Sequence, residues 1–199
     1  MAHMTTLEPE GDLDRVTLTG ERLDGQDGSG SRVLECTFDD CSLDGVRLDH
    51  ARVIDTALSS SRAGELHAAS STWQDCTWSE LRLGAVQAYA SSWTRVRVVG
   101  GKLDYLNLRD ARLVDVSFEG VVVDELDLAR VQARRVTFTG CRVRRLDLLG
   151  AALTDVDLRG VDGLEHLDGI GGLAGATIGS DQLVVLAPAL AEHLRITVV

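Results

Sequence analysis

Apolar residues, bulky except at Ala63, Ala68, Ala88 and Ala133, recur at every fifth position from Phe38 to Leu158, among them Leu43, Leu48, Val53, Leu58, Trp73, Trp78, Trp93, Phe118 and Phe138. Two positions before each stands a second, mostly small series that begins Cys36, Cys41, Val46, Ala51. Neither phase holds a charged residue anywhere in the run. All three Trp and all three Phe lie on the first phase, and all four Cys on the second. A five-residue period suits neither the 3.6-residue helix nor the two-residue strand. It predicts a chain that turns a corner every five residues and points two of each five inward. Four such sides close a coil of about twenty residues, and coils stack about 4.8 Å apart through backbone hydrogen bonds. About 25 pentapeptides make a little over six coils, on the order of 30 Å of rod. The register never slips between residues 38 and 158, so no inserted loop is expected.

Stacked at twenty residues, Phe38, Trp78, Phe118 and Phe138 share one side, and Trp73 and Trp93 another. Ala68 and Ala88 precede those two Trp on the neighbouring side, and large beside small keeps the cross-section constant. Gly45, Gly100, Gly120, Gly140, Gly150 and Gly160 share the last phase, which suits a corner needing positive φ.

The ends depart from the pattern. Residues 1–15 read as a cloning remnant (Met1-Ala2-His3-Met4) followed by an acidic lead-in with Glu8, Glu10, Asp12 and Asp14. Residues 16–160 form the repeat domain. Its stretch 16–35 is an imperfect first coil, because Glu21 and Gln26 occupy the inward small phase. The Gly/Ser-rich segment Gly25–Ser31 reads either as part of that coil or as a loop. Residues 161–199 carry an irregular last coil, then a helix over about 181–194 capped by Ser180 and Asp181. Leu183, Leu186, Leu190 and Leu194 follow at helical spacing, Pro188 should kink or split the helix, and Ile196–Val199 reads as a terminal strand.

Composition narrows the functional classes. A chain of 199 residues with 44% hydrophobic content fits one folded unit. It shows no leader and no stretch near the ~18 apolar residues that span a bilayer, which predicts a cytoplasmic protein without a membrane partner. The four Cys face inward as apolar fillers, so neither a disulfide nor a metal is expected, and no cofactor. His50, His67, His166 and His193 are scattered, and no phosphate-binding loop is present; no enzyme is expected.

Pentapeptides such as Ala111-Arg112-Leu113, Leu126-Asp127-Leu128, Ala151-Ala152-Leu153 and Val156-Asp157-Leu158-Arg159-Gly160 resemble the small–polar–Leu–x–x consensus of the pentapeptide-repeat family. The match covers roughly two thirds of the chain. The resemblance implies an all-β solenoid, a right-handed quadrilateral β-helix with no internal cavity, here ending in a short α-helical cap. Members with a C-terminal helix often pair tail to tail. The tail therefore reads as a cap alone, or as a cap that also forms a homodimer. The family includes quinolone-resistance factors that bind DNA gyrase, whose rods are similar to duplex DNA in girth and negative surface.

Charge is distributed to suit that comparison in part. The net charge of −11 divides into −8 over residues 1–60, +1 over 61–100, +2 over 101–145 and −6 over 146–199. Asp39, Asp40, Asp44, Asp49 and Asp55 lie on outward phases of the first coils, either as a phosphate-like track or as a solvated face. Arg134, Arg135, Arg142, Arg144 and Arg145, with Arg130, interrupt the acids. Arg144 and Arg145 either pair with Asp124 and Glu125 one coil below or form a partner-binding patch. Two functional readings follow. One is a DNA-mimicking modulator of gyrase or another topoisomerase, conferring tolerance to fluoroquinolones or other poisons. The other is a scaffold for a different protein partner. Direct nucleic-acid binding is disfavoured, since neither end carries a basic footprint.

Overall fold

In the computed structural model, which describes residues 6–198, short parallel strands stack into a solenoid of about 8 turns ending in one helix. Side one holds Arg32–Leu34, Arg52–Ile54, Thr72–Gln74 and Ser92–Thr94, then the first parts of Arg112–Glu119 and Gln132–Thr139. Side two holds Thr37–Asp39, Ala57–Ser59, Thr77–Ser79 and Arg97–Val99. Arg62–His67, Arg82–Gln87, Lys102–Asn107 and Val122–Asp127 run along side three into side four. Registers such as Arg52↔Thr72, Trp73↔Trp93 and Phe118↔Phe138 place each residue twenty positions from its stack neighbour.

The inward phases are dry. Trp73, Trp78 and Trp93 are completely buried, with ring centroids 5.0–6.3 Å apart across two sides and two coils. Phe118 and Phe138 stack at 4.7 Å with an interplanar angle of 4°. Cys36, Cys41, Cys76 and Cys141 are free and buried. Burial pushes the Cys76 thiol up to about 11. A thiol reagent at pH 8 is therefore expected to leave all four untouched in the native protein and to label all four in guanidinium. Native labelling at wild-type stability would contradict the packing.

Corners are of two kinds. Most have a left-handed residue on the last phase, and many of these are not glycine: Glu35, Asp40, Asp55, Asp75, Arg95 and Asp115 all have φ between 48° and 57°. A non-glycine residue there costs on the order of 1–2 kcal/mol. Stacking compensates, since each corner N–H finds a carbonyl in the next coil, as Asp55 N does with Gln74 O at 3.0 Å. At Glu65, Ala85, Tyr105, Glu125 and Arg145 the strand instead runs through the corner without a positive φ. An Asp or Asn just before the central Leu closes several corners. Its Oδ1 accepts the N–H two residues on, as in Asn107–Arg109 (3.1 Å), Asp127–Ala129 (2.9 Å), Asp147–Leu149 (2.8 Å) and Asp157–Arg159 (3.0 Å).

Both ends correct the sequence reading. The coils begin before residue 16: Asp12–Asp14 pairs with Arg32–Leu34, and Thr17–Thr19 with Thr37–Asp39. Gly25–Ser31 is coil rather than loop, bridged by Asp27↔Arg47. Gln26 is tolerated on an inward phase because its Oε1 accepts the Leu7 N–H at 2.8 Å, and buried Leu7 covers the open end. Residues 1–5, where the cloning remnant was placed, lie outside the described residues. In the last coil Arg142 faces Asp162 at a twenty-residue offset, but Arg145 faces His166 at twenty-one. One extra residue enters there, and Val156↔Ala176 restores the spacing. That slip is why the five-residue pattern fades after residue 160.

The helix spans Ser180–His193 with Gly179 as its N-cap, so Ser180 and Asp181 belong to its first turn. Gln182 anchors it: Oε1 accepts the Gly179 N–H (2.7 Å) and Nε2 donates to Leu158 O (2.9 Å) and Val161 O (2.8 Å). The helix continues through Pro188 without splitting. Residues 196–198 are not a strand; Ile196 and Val198 lie exposed with no strand edge beside them, and Val199 falls outside the described residues.

Candidate interaction surfaces

Outward residues of each coil stack into columns, so a surface is read by column. The five acids of the first coils do not share one. Asp39 is on side two and accepts from Ser59 Oγ at 2.6 Å. Asp40 sits at the next corner, 3.9 Å from Arg62. Asp44, on side three, accepts the Gly64 N–H at 2.7 Å. Asp49, on side four, accepts the Ala69 N–H at 2.9 Å and pairs with Arg47 at 2.8 Å. Asp55 returns to the corner between sides one and two. These acids circle the rod.

In the middle coils most of the acids are ion-paired, Glu80 and Glu125 excepted. Arg130 binds Asp110 through two bonds of 2.6 Å, Arg97 binds Glu119 at 2.7 and 2.8 Å, and Arg95 and Arg135 reach back one coil to Asp75 and Asp115 at 2.7 Å. Arg95 holds the Asp75 carboxyl down at about 2. A depressed carboxylate stabilises the fold fully above about pH 4 and loses that contribution as pH falls through its folded value. An R95Q variant should therefore lose stability at pH 5 but not at pH 1.5, measured by guanidinium unfolding. Because the pair is exposed and screened by solvent, the effect should be small. Sequence reading missed Asp127, whose side chain is almost buried and accepts from Arg109 Nη2 at 2.8 Å and Nε at 3.1 Å. Its place before Leu128, in the corner-closing position, is the signal that could have found it.

The arginine patch divides. Arg134 and Arg135 lie on side one and its corner, whereas Arg142, Arg144 and Arg145 lie on side three and the corner beyond it. Arg144 approaches Glu165 in the coil above at 3.9 Å, and Lys102 takes Asp124 at 3.3 Å. Arg145 stacks on Glu125 without an ion pair. The pairing of Arg144 and Arg145 with Asp124 and Glu125 is thus not formed; the extra residue near 163 brings Glu165 within reach of Arg144 instead.

The C-terminal helix is the largest apolar feature. From Leu183 to Ala191 it has no charged residue, yet none of its residues is buried. Leu183, Val184, Val185 and Leu194 are 49–74% exposed, and Leu186 and Leu190 are half-buried. A cleft of about 640 Å³ separates it from the last coil, lined by Leu146, Leu158, Val161, Leu167, Val185 and Leu186 among others. The helix roofs the coil without sealing it. Among the described residues no group of His, Cys, Asp and Glu is placed to hold a metal, and no helix is long and apolar enough to cross a membrane.

No family model matches the chain, and no curated protein matches it significantly. Among solved structures it is similar to HetL, a pentapeptide repeat protein involved in heterocyst differentiation regulation from the cyanobacterium Nostoc sp. strain PCC 7120 (16% identity, 86% of this chain and 90% of that one, TM-score 0.41). It is also similar to full-length QnrB1, a plasmid-mediated fluoroquinolone resistance protein (16% identity, 90% and 99% covered, TM-score 0.30). The fold assignment rests on the chain's own register and core. With two inward phases in every five residues, a twenty-residue coil and a filled four-sided interior, the chain has the β-solenoid fold of the pentapeptide-repeat proteins.

Proposed function

We propose that this protein is a non-enzymatic binding rod whose N-terminal coils present the charge of duplex DNA to a DNA-handling protein. By the resemblance of its repeats to quinolone-resistance factors, the expected partner is DNA gyrase or another topoisomerase. The supporting observation is local charge density. Residues 1–60 carry a net −8, and all of these charges fall between Glu8 and Asp55. At about 4.8 Å per coil, that is roughly one net charge per 1.4 Å of rod, against about 1.7 Å for duplex DNA. The acids surround the axis, as phosphates do. Purified gyrase titrated with the protein, with and without a fluoroquinolone, should lose supercoiling activity or gain drug tolerance at micromolar protein. D39N/D40N/D49N/D55N should lose the effect. No effect of the wild type at tens of micromolar would remove this reading.

The proposal includes a homodimer through the helix. A helix apolar all round is normally buried, and none of this one's residues is fully buried in a single chain. Light scattering should give twice the 21.4 kDa chain mass, and V184D/L194D, altering exposed side chains only, should give the monomer mass.

The ion-paired middle favours a second reading, a scaffold for an unrelated protein, since a DNA mimic needs no arginines there. A pull-down partner other than a topoisomerase, lost in R144E/R145E, would support it.

A further inference from the structure

Side one of the rod differs from the other three. From Arg32 to Thr154 its outward positions hold four arginines, with hydroxyl, amide and aliphatic side chains, and no acid; the acids of this side, Asp12 and Asp14, stand one coil before Arg32 at the N-terminal end. Arg32 and Arg52 are stack neighbours. Arg112 and Arg134 form a second pair one coil apart, Arg134 stacking on Val114. Between the pairs the strip is neutral, with Thr72 over Ser92. All four arginines are exposed, and none makes an ion pair among the described residues. Like charges in register on adjacent strands repel, and Arg32 and Arg52 stand so with no ion pair, Asp12 being in register on the other side of Arg32. Arg95, Arg97, Arg130 and Arg135 have carboxylate partners, whereas on side three Arg82, in register with Arg62 and Lys102, has none among the described residues.

We infer that side one is a docking strip for an acidic, extended segment of a partner protein. The strip spans five coils, about 24 Å, which an extended peptide covers with roughly seven residues. The corner beside it carries Glu35, Asp55 and Asp155, while Asp75 and Asp115 there are paired with Arg95 and Arg135, and the opposite corner holds His50, Ser70, Ala90 and the Asp110–Arg130 pair. A duplex would set about 14 phosphate charges along 24 Å against four arginines. Charge complementarity therefore selects a ligand of modest charge, with carboxylates toward its two ends. This inference is independent of the gyrase reading, which concerns the N-terminal acids.

The test uses the full chain and a fluorescein-labelled twelve-residue oligoglutamate, with single-stranded and duplex DNA of equal charge as the other probes. Anisotropy should show oligoglutamate binding that weakens several-fold as salt rises from about 50 to 300 mM. R32Q/R52Q/R112Q/R134Q should weaken binding about tenfold or more, while R62Q/R82Q/R142Q/R159Q, with the same net charge, should change it less than about twofold. Circular dichroism establishes that both variants are folded. Equal losses in the two variants, tighter binding of either DNA, or no oligoglutamate binding by the wild type at about 1 mM would each overturn the inference.

Discussion

Replacing Trp78 with alanine is expected to destabilise the rod by about 3–5 kcal/mol, whereas phenylalanine at the same place should cost far less. Trp78 is completely buried, stacks between Leu58 and Val98, and lies 5.1 Å from Trp73 and 5.0 Å from Trp93 by ring centroid. Removing it empties the cross-section where three indoles meet, and a solenoid cannot collapse there without breaking the backbone ladder on both sides. Its Nε1–H has no hydrogen-bond partner. Phenylalanine therefore loses volume but no polar contact and removes an unpaired donor. Guanidinium unfolding followed by far-UV circular dichroism measures both. A W78A cost below about 1 kcal/mol would show that the indole cluster is not close-packed. Because coils contact only their neighbours, W78A should also loosen the coils around residues 58–98 before the ends, visible as faster amide exchange there.

Gly101→Ala is expected to cost about 2–5 kcal/mol, on the scale of truncating a core side chain. Gly100 and Gly101 have consecutive positive φ values of 61° and 77°. A Cβ on Gly101 would lie 2.3 Å from Leu81 O and 2.6 Å from Leu81 N. Both contacts are backbone of the coil below, which cannot move without parting the Lys102 N–Leu81 O hydrogen bond of 2.8 Å. Gly120→Ala is the control: it also has a positive φ, but open space around its Cβ position, so only conformational strain of about 1 kcal/mol applies. Equal effects of the two substitutions would show that the close approach at residue 101 carries no penalty.

Gly101 marks where sequence reading stopped. Its phase makes it a small inward filler like Ala111 or Cys141, and nothing in the pattern signals that the chain reverses its dihedral there. The helix illustrates the same boundary. Leu183, Leu186, Leu190 and Leu194 announce a helix, but whether it seals the coil or stands off depends on how Gln182 ties it to Leu158 and Val161. Likewise the one-residue slip between Asp162 and His166 hides in the sequence as a weakened repeat, and only the register shows that it is an insertion later compensated.

The candidate surfaces were legible residue by residue but not as surfaces. Asp39, Asp40, Asp44, Asp49 and Asp55 were identifiable as outward, yet twenty residues per coil spread them around the axis. Arg134 and Arg145, eleven residues apart, fall on different sides of the rod. By itself the sequence determined the coil: a strict period makes the inward phases apolar, and burial of those phases leaves a single periodic solution. What only the tertiary structure decided was where the count of twenty slips and which stacked charges close into ion pairs, because side-chain reach and the extra residue near 163 are not periodic. From this came the ion pairs of the middle coils, the Arg144–Glu165 approach and the uncovered helix.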